Sequence, residues 1–437
     1  MFDVLKIKNC FNFNIDSISY LVNFKSRKFW VYSKEEYNIN DDFANLPINI
    51  WDRLVYEDII DENQEINKKE KDRGYYPIIG TFLMSTICNL QCIYCYAYNK
   101  NNILMDIKTA KIAIDFLINN AILRNNKYIM VKFHGVGEPT LNWNTIVETY
   151  NYAKNKTKQF NINLKASITT NGIFSKDKRK WLAKNMDQIT ISMDGFEDIQ
   201  NKQRPHITLN SYKEVIKTIK DIEASKVTIR TTVTNINVDE IAKWTIFLNE
   251  IGVKKVNFEP VSICGKGKES GLEDVNTKLF IEKYIEAKEI EEHCGIEVSY
   301  SGIKLDKMAE FHCGAYGSNF VITPNGNIST CYEVVERNES ELDKFLVGQV
   351  YENKVSINNM RIKELREFSR IKRKECNECF AQYHCAGGCI SKRVLIEDQK
   401  IANSIKTKCE ITKKILYMDF AKFIKNNNYL VGEVYSF

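Results

Sequence analysis

Three cysteines, Cys88, Cys92 and Cys95, share the short stretch CNLQCIYC. Gaps of three and two residues crowd their thiols into one loop. Soft thiolates in that number suit an iron–sulfur cluster or a zinc ion. The next cysteine is Cys264, so no fourth ligand is supplied locally. A second array follows downstream: Cys313 and Cys331 with Gly326 between them, then Cys376, Cys379, Cys385 and Cys389, and finally Cys409. CxxC pairs also bind zinc, so spacing alone leaves both metals open. The chain carries 13 cysteines in 437 residues. Its start, MFDVLKIKNCFNF, lacks a basic segment followed by an apolar run, so no secretory signal is expected. Metal binding in a reducing cytoplasm, not disulfide bonding, is the expected use of these thiols.

These loops need elements to hold them. From Ile78 onward, apolar strand-like runs alternate with amphipathic helical stretches. The strands are expected from Ile78, Tyr128, Leu164, Gln188, Val227 and Lys254. Six such units imply a parallel sheet with helices outside, too few for a closed eight-stranded barrel. A helix from Asn276 to Glu292 should lead into the cysteine-rich end, where FVITPNGNIST reads as a hairpin turning at Asn325 and Gly326. Ahead of Tyr76, the stretch YLVNFKSRKFWVYS alternates as strands do, a helix is expected from Pro47 to Ile60, and the charged segment Asp61 to Gly74 reads as a linker. The expected units are therefore 1–76, 77–300 and 301–437.

Sites in parallel α/β folds lie at the carboxyl ends of the strands, and each further motif falls there. HGVGEP follows the second strand, with Gly135, Gly137, Glu138 and Pro139. Glycine permits close backbone approach, and a glutamate can accept from an ammonium group. Thr170-Asn171-Gly172 follows the third strand, and SMDG, with Ser192 and Asp194, follows the fourth. Arg204 comes a turn and loop later, and its planar fork suits a carboxylate. Arg230 lies within the fifth strand and needs a partner, either structural or a ligand.

CxxxCxxC with an aromatic, Tyr94, before its last cysteine resembles the radical S-adenosylmethionine (SAM) enzymes, and the later motifs recur in that family's order. The resemblance covers about residues 78 to 415. It implies an α/β fold, a partial (β/α)6 barrel, in which Cys88, Cys92 and Cys95 hold a 4Fe–4S cluster whose open iron chelates SAM. One electron then splits SAM to methionine and a 5′-deoxyadenosyl radical. In the family, the region of Tyr94, Gly135, Gly137, Glu138 and Asn171 contacts SAM, and Ser192 and Arg204 clamp its carboxylate. Val136 departs from the usual GGEP. The C-terminal spacing resembles the SPASM extension of peptide and protein maturases. That implies two auxiliary 4Fe–4S clusters, three clusters in all. Cys376, Cys379, Cys385 and Cys409 would hold the outer one, and Cys313, Cys331 and Cys389 the inner one. The inner set is one thiolate short, so Cys264 or Cys294 joins it or an iron stays open. Cys10 reads as a small buried hydrophobe.

The implied activity is oxidative modification of a ribosomally made precursor peptide, forming a thioether or carbon crosslink. The N-terminal unit suits recognition of the peptide's leader segment by strand addition. An electron donor such as flavodoxin or ferredoxin is required. Anaerobic sulfatase maturation is the alternative. Those enzymes place an aspartate just after the cysteine matching Cys331, whereas Tyr332 and Glu333 follow it here, which leaves Glu333 as the candidate base. A non-catalytic iron–sulfur sensor is the reading from another class, but it needs no carboxylate clamp. The net charge of +6 is modest. No basic stripe with interleaved aromatics points to nucleic acid. No apolar run reaches membrane-spanning length, so no membrane partner is expected.

Overall fold

A computed structural model describes residues 4–7, 10–15, 18–24, 26–33, 47–57, 59, 74–97, 101–303, 309, 311–336, 340–368, 374–427 and 429–436. The linker expected at Asp61 to Gly74 lies outside them apart from Gly74.

The chain begins as an antiparallel meander, β1 (Val4–Ile7), β2 (Cys10–Ile15), β3 (Ile18–Asn23) and β4 (Lys28–Ser33), followed by helix α1 (Ile48–Tyr56). Its side chains alternate as the sequence does. Phe11, Phe13, Tyr20, Val22, Phe29 and Val31 point to the main core, while Cys10, Leu21, Trp30 and Tyr32 pack with Leu54 of α1.

The barrel follows as β5 (Ile79–Leu83), α2 (Ile107–Leu123), β6 (Tyr128–His134), α3 (Trp143–Gln159), β7 (Asn163–Thr170), α4 (Lys176–Asn185), β8 (Gln188–Ser192), α5 (Glu197–Gln203), α6 (Ser211–Ile222), β9 (Val227–Val233), α7 (Ile241–Glu250), β10 (Lys255–Pro260), α8 (Thr277–Cys294) and β11 (Glu297–Ser299). Strands β5 to β11 pair in parallel in sequence order. The six expected strands are β5 to β10, and β11 adds a short seventh. Along β6, Ile129, Val131 and Phe133 are buried against the helices, while Met130, Lys132 and His134 are half-buried on the concave side. Only one face of each strand therefore meets helices, and the other lines an open lumen.

Strand β12 (Phe320–Ile322) adds in parallel to the free edge of β5, and β13 (Asn327–Ser329), β14 (Leu346–Tyr351) and β15 (Lys354–Ile357) continue antiparallel, giving an 11-stranded sheet. Gly326, at φ +80°, makes the expected hairpin turn between β12 and β13. Short helices α9 (Asn359–Glu367), α10 (Lys374–Asn377), α11 (Gln382–Cys385) and α12 (Ile390–Arg393) carry the late cysteines to α13 (Gln399–Lys425). The Asp398 side chain caps α13 by accepting from Lys400 N and Ile401 N. At 27 residues, this helix runs for about 40 Å. It carries Cys409 past the barrel and packs Tyr417 and Phe420 on the N-terminal sheet, with Phe13 and Phe420 ring centroids 5.1 Å apart.

The units expected at 77–300 and 301–437 are not separate in space. β12 belongs to the barrel sheet, and β16 (Val434–Ser436) pairs antiparallel with β4, completing the N-terminal sheet. Arg53 of α1 fixes this last strand through Gly432 O at 3.1 Å and Glu433 at 2.6 Å.

Candidate active site

Cys88, Cys92 and Cys95 follow β5 on the loop that crosses the carboxyl rim of the barrel. Backbone bonds fix this loop on two sides. Glu138 N donates to Ile87 O at 2.8 Å and Gly137 N to Ser85 O at 3.0 Å, while Gln91 N donates to Pro205 O and Ile93 N to Gln203 O. A Cβ on Gly137 would stand 2.0 Å from Ile87 O, and one on Gly135 would stand 2.4 Å from Gly137 O. Gly137 is thus needed for close packing on the cysteine loop, and Gly135 for the turn of its own motif.

Glu138 is buried, and its carboxylate already takes four donors: Thr140 N, the hydroxyls of Thr140 and Thr170, and Asn171 N. A carboxylate offers about four acceptor positions. Three of these donors fall on Oε1 and only Asn171 N on Oε2, so the carboxylate is held in place by its own turn and by the end of β7 while Oε2 keeps room for a further donor. Asn171 donates from Nδ2 to Asn89 Oδ1 at 2.7 Å and points at Cys88 Sγ at 4.0 Å.

Arg204 lies against the other side of the triplet. Its Nε donates to Asp194 Oδ2 at 2.9 Å, its Nη1 stands 3.9 Å from Cys92 Sγ, and its Nη2 is 3.5 Å from Thr232 Oγ1. The Tyr94 hydroxyl bonds the same Asp194 oxygen, and the guanidinium lies 5.3 Å from the Tyr94 ring centre. Asp194 Oδ1 accepts from Thr232 N at 3.0 Å. This buried carboxylate is the hub of the clamp; SMDG showed it, but the charge pairing that gives it a role was not visible. Ser192 ends β8 in register with Arg230. Burial pushes the Cys88 thiol up to about 11 and the Cys92 thiol to about 12, and neighbouring thiols add to both shifts.

The seven downstream cysteines segregate. Cys385 feels the charges of Cys409, Cys379 and Cys376, whereas Cys331 feels Cys389 and Cys313. Cys264 turns instead to Lys392, whose Nζ is 3.1 Å from its sulfur. Cys294 is exposed at the C-terminal end of α8. Among the described residues, no three of His, Cys, Asp and Glu converge tightly enough for a single ion. A cube of irons ligated at separate corners accommodates that wider spacing. Three crowded thiols with the Leu90 N–H 3.4 Å from Cys88 Sγ, and Arg204 beside Cys92, fit such a cluster by donor type and by compensating charge.

Glu333, the candidate base, lies against α12. It accepts from Lys392 Nζ at 2.8 Å and Ser391 Oγ at 3.1 Å. Burial opposes the charge on Lys392, but Glu333 and Cys264 outweigh it and keep the ammonium protonated. Glu333 thereby joins the loop after Cys331 to α12.

The lumen beneath the rim is polar. Thr231 on β9 bonds Trp244 of α7 on the helix side, so Thr228, Arg230 and Thr232 face inward. On β10, Asn257 and Glu259 do the same. Burial, with Arg230 and Lys132 nearby, lowers His134 to about 4. The His134 ring lies 5.4 Å from that of Tyr332. Glu259 pairs with Lys408 at 2.9 Å and bonds Ser301. Burial raises its pKa, but Lys408, Arg230 and Ser301 outweigh that and hold it at about 2. Its folded value is depressed, so its contribution is complete above the unfolded value of about 4.3 and is lost as pH falls towards 2. Thermal unfolding of the apo-protein between those pH values should fall less steeply in Lys408→Met than in wild type; parallel curves would contradict the pairing.

Residues 82–248 match the Radical SAM superfamily. They form a radical SAM domain. The chain is 38% identical over 178 residues to an uncharacterized protein of Methanocaldococcus jannaschii, 39% of this chain and 58% of that protein, so the match spans less than two thirds of that relative. It is 26% identical over 357 residues to the radical SAM cyclopropyl synthase TigE of Paramaledivibacter caminithermalis, covering 75% of this chain and 71% of that one. Among solved structures, anSMEcpe with bound AdoMet and Cp18Cys peptide superposes with a TM-score of 0.59 at 23% identity, over 80% of this chain and 100% of the other. Streptococcus suis SuiB bound to precursor peptide SuiA gives 0.53 at 18% identity, over 84% and 82%. These structural likenesses establish the fold, including the partial barrel.

A radical SAM domain implies an enzyme that uses SAM and a 4Fe–4S cluster. Among the described residues, no helix is long and apolar enough to cross a membrane.

Proposed function

We propose that this radical SAM enzyme oxidatively modifies a ribosomally made precursor peptide, most simply by a thioether or carbon crosslink. Cys88, Cys92 and Cys95 hold the SAM-binding cluster in this reading. Cys376, Cys379, Cys385 and Cys409 hold one auxiliary 4Fe–4S cluster, and Cys313, Cys331 and Cys389 the other. What supports it most directly is the radical SAM domain over residues 82–248 together with the likeness to TigE and to SuiB bound to its precursor peptide. Cys264 lies beside Lys392, which also feels the Cys389 charge, so either Cys264 completes the set of three or an iron there stays open to a substrate thiolate.

SAM and its cluster, when bound, supply the radical that removes a substrate hydrogen. The chain's part is positioning. Asp194 and Tyr94 fix Arg204 for the SAM carboxylate, with Ser192 beside it, and Asn171 and Gly137 fix the cysteine loop. The half-buried lumen residues exclude bulk water and receive the peptide. The late thiols place an electron acceptor for the second oxidation step, so that two hydrogens leave the peptide as two electrons and two protons. An electron donor such as flavodoxin or ferredoxin and a reducing cytoplasm complete the reading. The N-terminal sheet is assigned to the leader segment of the peptide.

The test is intact mass of a short peptide encoded beside this gene, co-expressed with the enzyme anaerobically. Loss of two hydrogens that requires the Cys88 triplet supports the proposal. An unmodified peptide in the presence of SAM turnover counts against it. The second reading, sulfatase maturation, is favoured by the 100% coverage of anSMEcpe, and conversion of a sulfatase peptide cysteine to formylglycine in the same assay would select it.

A further inference from the structure

The cysteine loop is enclosed unevenly. On the Cys95 side, Lys266 N donates to Cys95 O at 3.0 Å, and a Cβ on Gly265 would meet that same oxygen at 2.5 Å. Tyr96, next in the chain, is half-buried and feels Glu333, Cys331 and Lys392. That side is covered by the loop after β10 and by the auxiliary region. On the Cys88 side, the cover is the rim of the barrel alone. Asn89 donates to Ile173 O at 3.3 Å, and Leu90 bridges to His206. Beyond them, an open groove reaches the outer surface, lined by Asn89, Ile173, Lys176, His206, Leu209 and Lys217.

The rim of this groove is unusual for a surface loop. Ile207 is 78% exposed and Leu209 47%, side by side on the turn that touches the cysteine loop. Lys176, exposed at the start of α4, has no ion-pair partner among the described residues. Lys217 is 61% exposed and pairs with Glu214, whose charge is already shared with Arg179. The groove is therefore net positive, with Leu209 in its lining and the exposed Ile207 two residues away on the same turn. Apolar contacts ringed by cations fit an acidic protein partner.

We infer that this groove is where an acidic one-electron carrier protein docks to reduce the cluster at Cys88, Cys92 and Cys95. The inference rests on the radical SAM reading of that triplet. Asn89 connects the groove to the loop: it is among the groove's lining residues and follows Cys88 directly in the chain. The reaction is a single electron passing from the reduced carrier to the cluster, with the carrier leaving oxidised. A carrier entering through the lumen would compete with substrate for the same space, whereas docking at Ile207 and Leu209 leaves the lumen open.

The experiment uses anaerobically reconstituted holoenzyme and follows 5′-deoxyadenosine from SAM. Turnover is driven either by dithionite or by bacterial flavodoxin with NADPH and flavodoxin reductase. In K176E/K217E, the flavodoxin-driven rate should fall by about tenfold or more at low salt, with the gap to wild type narrowing as salt rises. The dithionite-driven rate should be unchanged, which also reports an intact fold. Lys176→Glu alone and I207S/L209S should show the same selective loss in smaller measure. K154E/K158E, on exposed α3, controls for overall charge and should leave both rates unchanged. An undiminished flavodoxin-driven rate in K176E/K217E overturns the inference. So does an equal loss in K154E/K158E, or a wild type that turns over with dithionite but never with flavodoxin. Absence of 5′-deoxyadenosine even with dithionite would instead overturn the functional reading beneath it.

Discussion

Arg204→Met should lower the stability of the apo-protein by roughly 3–5 kcal/mol, the usual cost of removing one partner of a buried ion pair. The Asp194 side chain is fully buried and that of Arg204 is only 10% exposed. Methionine fills similar space but leaves the carboxylate with Tyr94 and Thr232 as its remaining partners. Urea unfolding checks the magnitude. Arg204→Lys should recover only part of the loss, because a point ammonium cannot span Asp194, Thr232 and the neighbourhood of Cys92 together. Both variants should lose SAM cleavage. A midpoint equal to wild type in Arg204→Met would show that the guanidinium is held for ligand binding alone and not for the fold.

The second large effect is on metal content. Changing Cys88, Cys92 and Cys95 together to alanine should remove about four irons per chain, leave the irons of the auxiliary sets, and abolish 5′-deoxyadenosine formation. Iron and sulfide analysis of the anaerobically purified protein gives the count. The substitution should barely alter folding of the apo-protein, because burial keeps these thiols uncharged and little interaction is lost. Loss of all iron from the triple variant would mean that the three sets do not load independently. Retention of wild-type iron would remove the triplet from the cluster site.

The six parallel strands were legible because each is a compact apolar run with helical periodicity behind it, and the rim motifs were legible because chemistry concentrates at strand ends. The cysteine sets were legible as spacings. What escaped was determined by contacts across long separations. Asp194 lies two residues after Ser192 in a motif already noted, yet its importance comes from Arg204, Tyr94 and Thr232 converging on it. Glu138 is held by the Thr170 hydroxyl and Asn171 N, 32 and 33 residues on, which its own motif does not show. The partner of Glu333 was equally hidden: Lys392, 59 residues later, is placed 2.8 Å away. Strands β12 and β16 have three residues each, too few for a period, and their partners β5 and β4 lie hundreds of positions earlier.

That last pairing bears on how the molecule is made. Strand β4 leaves the ribosome about four hundred residues before β16, and the aromatic face of the N-terminal sheet waits almost as long for Phe420 of α13. Through most of synthesis, this sheet has an unsatisfied edge and an uncovered face, a state prone to wrong association. The barrel edge at β5 likewise stays open until β12 arrives. Both closures come after the Cys88 loop has emerged, and β16 comes after the last cysteine.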